Sequence, residues 1–115
     1  MEQLKNPLSK SAESAPFTVK RFSGNPLITR RMDPCLGYNI NGPSVIRVPD
    51  WVPYKLGRYY LYFAHHHGKF IRLAYGDSPE GPWRLYVPGV LPMAHTGYTD
   101  HLASPDVHVD EAEQR

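Results

Sequence analysis

The chain has a single cysteine, Cys35, among 115 residues. That count excludes an internal disulfide and any multi-cysteine metal knuckle. A lone thiol in the loop-like stretch MDPCLGYN could act as a nucleophile, the weaker reading of a single loop cysteine. No apolar run approaches membrane-spanning length, and the opening MEQLKNPLSKSAESAPF has no hydrophobic core of the signal-peptide kind. These absences lead to the expectation of a soluble, cytoplasmic protein without a membrane partner. Charge of one sign is also in short supply. Thirteen Lys and Arg against eleven Asp and Glu leave a net charge of +2, spread along the chain. No basic stripe with interleaved aromatics forms, so no nucleic-acid partner is expected.

Proline, glycine and aromatic residues are plentiful. Twelve Pro and nine Gly argue against long helices and for many short turns. Eight Tyr, four Phe and two Trp favour strands and amphipathic surfaces. Residues 1–16 are polar and mixed, and read as a flexible lead-in. Residues 17–41 hold short apolar pieces broken by Gly24, Pro26, Pro34 and Gly37, an extended approach to the patterned region.

That region begins at Pro43. PSVIRV (43–48) reads as a strand, and VPDWVPYKLG as a wide turn. RYYLYFAHH (58–66) is apolar or aromatic on both faces, the signature of a strand buried on both sides. Gly68 marks a turn, and KFIRLAYG (69–76) returns, with Phe70, Arg72 and Ala74 on one face and Ile71, Leu73 and Tyr75 on the other. DSPEGP is a strong turn signal before WRLYV (83–87). Four short strands joined locally predict an antiparallel meander. After a longer connection (88–104), PDVHVD (105–110) echoes PSVIRV at an offset of 62 residues, as a repeated blade would.

GPSVIRV, GRYYLYFAHH, IRLAYGDSPEGPW and SPDVHVD together resemble the five-bladed β-propeller glycoside hydrolases, the arabinanase- and xylosidase-like group. The likeness covers about residues 41–110. It implies an all-β fold: an antiparallel four-stranded blade (about 43–87) plus the start of a second (from about 104). Residues 17–115 would be the N-terminal part of a propeller domain. It also implies hydrolysis of glycosidic bonds in an intact propeller, with this chain inactive alone. Such cleavage needs one group to donate a proton and another to activate water or attack. By this resemblance Asp106 matches the Asp that opens the second blade and orients or tunes the chemistry. The base expected just before Pro43 is replaced by Gly42, with Asn41 before it; Asp33 could approach from the lead-in, and the acid would lie beyond Arg115. The alternatives are a non-catalytic carbohydrate-binding or assembly module, which needs no base, and a propeller lyase in which a histidine removes a proton and Arg47 or Arg72 holds a uronate carboxylate.

Meander topology puts Asn41, the turn at His65–Gly68 and the 88–104 connection at one rim. Asn41, His66, Tyr98 and His101 are therefore the candidate sugar-binding residues, and carbohydrate is the expected partner. His65 and His67 at i,i+2 would need a third ligand to hold a metal. No cofactor is expected, a divalent ion in a propeller funnel being the weaker reading. The aromatic residues of the strands read as core before they read as sugar platforms. Open sheet edges would invite self-association.

Overall fold

A computed structural model describes residues 16–115; the predicted lead-in, all but its last residue, lies outside them. Four strands form one sheet: β1 (Asn41–Arg47), β2 (Tyr59–Ala64), β3 (Phe70–Gly76) and β4 (Arg84–Pro92). Their spatial order is their chain order, and every pairing is antiparallel. Each connection follows from its residues. A turn at 65–68 closes with Gly68 N–H donating to His65 O at 2.9 Å, and the β3–β4 link closes with Gly81 N–H on Ser78 O at 2.9 Å. Arg58 N–H donates to Asp77 Oδ1 at 3.3 Å and ties the start of β2 to the end of β3.

The register sorts the side chains into two faces. Leu61 stands opposite Ala74, Phe63 opposite Arg72, and Ala74 opposite Leu85. This face, with Trp83, receives the segment before β1, whose Leu27, Ile28, Leu36 and Ile40 pack on it. Phe63 is fully buried and Leu36 nearly so. Removing each from water contributes about 2–3 kcal/mol. Asp33 starts a short 3-10 turn at Pro34–Leu36, accepting from Cys35 N–H at 2.8 Å. That turn presents Leu36 to Phe63.

Arg72 holds the covering segment in place. It is only 7 % exposed, and its Nη1 donates to Leu36 O at 3.0 Å and to Asn39 O at 3.2 Å. Burial pushes its pKa down, yet guanidinium keeps its proton in proteins. A cation set among apolar residues is tolerated because two carbonyls receive it. It is thus a structural tie and does not hold a substrate carboxylate.

The opposite face carries Ser44, Ile46, Tyr60, Tyr62 and Leu73. Residues 102–109 pass beside it without joining the sheet, turning at Ser104 (φ 50°), and Val107 N–H donates to Ser44 Oγ at 3.0 Å. Two glycines with positive φ mark the register shifts. Gly42 (φ 60°) lies in the irregularity of β1, where a Cβ would collide with Ser104 Cα. Gly89 (φ 71°) lies in that of β4, where a Cβ would meet Phe70 and, at 2.7 Å, Ile71 O.

The propeller expectation is not met. The strands form one flat sheet, neither closed nor strongly curled, and no second blade begins at 104. The physical reason is visible at PDVHVD. Its echo of PSVIRV is a local β pattern, and a local pattern specifies extended backbone without specifying a ladder. The described part of this segment lies against β1 through side chains and one amide–hydroxyl bond. Among the described residues, no helix is long and apolar enough to cross a membrane.

Candidate ligand-binding rim

At the β2–β3 end of the sheet, backbone amides of the histidine turn donate to side chains. His66 N–H donates to Asn39 Oδ1 at 2.7 Å, and His67 N–H to His65 Nδ1 at 3.0 Å. The His65 ring meets Tyr38 edge-on with centroids 4.9 Å apart. After β4 the chain makes a 3-10 turn (Met93–His95), with Met93 N–H donating to Lys69 O at 2.8 Å. Leu102 N–H then donates to Gly68 O at 2.8 Å, and Lys69 Nζ to Asp100 O. Gly68 is needed at this seam, since a Cβ there would stand 2.9 Å from His65 O and 3.1 Å from Leu102 O.

This stitching gathers three imidazoles. The His66 and His67 centroids are 4.7 Å apart, and His101 lies 6.2 Å and 5.6 Å from them. His101 Nδ1–H donates to Asp100 Oδ2 at 2.9 Å. That hydrogen bond, with the His101 charge next, holds the Asp100 carboxyl below its ordinary range; Lys69 and His67 act in the same direction. Asp100 is therefore an ionised, acceptor-only group near neutrality. Residues 97–101 line a depression of about 430 Å³ in which Tyr98 is 69 % exposed. Among the described residues, no group of three or more His, Cys, Asp or Glu is placed to hold a metal ion.

Of the predicted residues, His101 connects His66 and Tyr98, its ring 6.2 Å from the His66 ring and the residue in one depression with Tyr98. Asn41 pairs with Ala64 in the ladder and lines a different cavity, about 590 Å³, between the sheet and residues 21–28. Its Oδ1 is buried without a hydrogen-bond partner. Asp106 stands apart as well, its carboxylate exposed and 3.0 Å from His108 Nε2. Asp100, which the strand count sets on this rim beside His101 without a role of its own, and Lys69, which it does not single out, also belong to it; the spacing of single polar residues in a loop carries no periodic signal that would assign them one. The Cys35 thiol is pushed up, first by desolvation and then by the Asp33 carboxylate, the opposite of what activates a nucleophile.

No family model matches the chain, and no solved structure matches it. It is similar to the uncharacterized protein R118 of Acanthamoeba polyphaga mimivirus, with 34 % identity over 122 residues. The match takes in 87 % of this chain, which spans about a third (34 %) of that protein's length. Neither comparison points to a hydrolase, and the fold removes the frame that the glycosidase and lyase readings required. Glycosidic hydrolysis depends on carboxylates converging from successive blades. A single flat sheet provides no funnel for that convergence.

Proposed function

We propose that the chain is a binding module whose rim at residues 97–101 takes a polyhydroxylated ligand, with carbohydrate as the ligand class. The observation that carries this reading is the exposed Tyr98 ring beside the ionised Asp100 carboxylate in one depression. An aromatic face receives the C–H side of a pyranose, while a carboxylate accepts from two adjacent hydroxyls. His101, oriented by Asp100, and His66 behind it add groups that either donate or accept. Asn41, in its separate cavity, takes no part in this site, and neither does Asp106. Cytoplasmic residence goes with this reading, the lone Cys35 having no disulfide partner within the chain.

The test is ligand-observed NMR of the purified chain against a panel of neutral and acidic oligosaccharides. Binding is expected to weaken at least about tenfold in Tyr98→Ala and in Asp100→Asn, with circular dichroism unchanged. A panel without binders, or equal affinity in both variants, overturns the reading.

A further inference from the structure

Residues 105–109 have the form of a β-strand without a ladder partner. Their side chains alternate, with Pro105, Val107 and Val109 half-buried and Asp106 and His108 exposed, which is the period-2 pattern of a strand on a core. The backbone alternates too. Val107 N–H points inward, to Ser44 Oγ at 3.0 Å. In extended backbone, successive N–H groups point to opposite sides, so those of Asp106 and His108 point away from the sheet. Among the described residues, neither these two amides nor their carbonyls have a hydrogen-bond partner. One edge of this strand is thus tied to β1 while its other edge is open.

We infer that this open edge pairs with the same edge of a second copy, antiparallel and centred on Val107. A two-fold axis at Val107 places Asp106 opposite the partner's His108, and His108 opposite the partner's Asp106. The outward-pointing residues are therefore the ones that face each other. In an antiparallel ladder, such a pair exchanges both N–H···O bonds. Four backbone hydrogen bonds result, two on either side of the axis. The Val107 residues meet at the non-hydrogen-bonded position, where side chains approach most closely.

Charge complementarity selects the second copy as occupant. Asp106 and His108 already pair within the chain at 3.0 Å, with side chains 82 % and 81 % exposed. Doubling by the two-fold sets two carboxylates and two imidazoles in alternation, each carboxylate next to an imidazole along the strand and across it. A parallel or one-residue-shifted register would place like groups opposite one another or the inward edge outward. The interface is isologous, so it closes at a dimer. It is independent of the rim, since Tyr98 and Asp100 lie outside it.

Sedimentation equilibrium across a wide concentration range tests the pairing. The wild-type chain is expected to show a reversible monomer–dimer equilibrium. His108→Pro removes one outward donor per copy without removing an internal backbone bond, and should weaken the dimer at least about tenfold. Asp106→Lys, at an exposed position that the fold does not use, should weaken it as well. The double exchange Asp106→His with His108→Asp preserves every cross-strand pair and should restore wild-type association. A chain that stays monomeric to about 1 mM overturns the inference, as does a dimer unaffected by His108→Pro, which would be held by another edge such as β4. Failure of the double exchange to restore pairing also overturns it.

Discussion

Replacing Arg72 by Met tests how the covering segment is attached to the sheet. Methionine occupies much of the space of the arginine stem, so the cavity contribution is small. What disappears is a charged donor bonded to Leu36 O at 3.0 Å and Asn39 O at 3.2 Å. Hydrogen bonds to a charged group contribute about 1.5–3 kcal/mol each, so roughly 3–6 kcal/mol of favourable interaction is lost. Two terms oppose that loss. The guanidinium no longer has to be desolvated, and its Nε, buried without a partner, no longer carries that cost. The balance is a net destabilisation of about 2 kcal/mol, or roughly 8 °C in the melting midpoint for a domain of this size. Urea denaturation should show a lower midpoint with an unchanged slope. Hydrogen exchange should quicken at the amides of Cys35 and Leu36, which close the turn that Arg72 holds. A variant as stable as the wild type would refute the assignment of Arg72 as a tie. Destabilisation without faster exchange at those amides would refute the proposed location of its effect.

Three further outcomes follow from the packing and the electrostatics. Phe63→Ala empties the most buried aromatic position and should cost about 3–5 kcal/mol by chemical denaturation; a cost under about 1 kcal/mol would mean that the core lies elsewhere. Gly89→Ala places a Cβ against Phe70 and the Ile71 carbonyl at a positive φ, and should lower stability by at least about 2 kcal/mol, with loss of exchange protection along β4. Carboxyl-carbon NMR should find Asp100 titrating below the ordinary aspartate value of 3.8, and His101→Ala should return it toward that value. The pH sign is that of a depressed carboxylate. Its interaction with His101 is present above the ordinary value and is lost as pH falls through the folded one, so acidification should loosen the rim before the core.

Much of the sheet was legible in short stretches. YYLYFA, FIRLAYG and the Gly68 and DSPEGP turns state strand, return and turn through properties of neighbouring residues. The alternation that set Arg72 and Ala74 against Ile71 and Leu73 follows from backbone geometry alone. The functional residues were less legible. His66, His101 and Tyr98 were brought to one rim by counting strand ends, whereas Asn41, placed there by the same count, turned into a separate cavity. A bulge at Gly42 intervenes between the strand end and its register, and nothing in the local pattern announces it.

Composition and periodicity by themselves determined that the chain is rich in strands and turns, has no disulfide of its own, and carries a hairpin at the histidines. These are consequences of bonds and sterics within a few residues. Tertiary structure alone decided that PDVHVD lies unpaired beside β1 and starts no second blade. It also decided that Arg72 ties down Leu36 instead of meeting a ligand, and that Asp106 answers to His108 and not to the rim. Each of these outcomes rests on contacts between segments far apart in the chain, and a local β pattern is equally compatible with a ladder, a docked strand or an open edge.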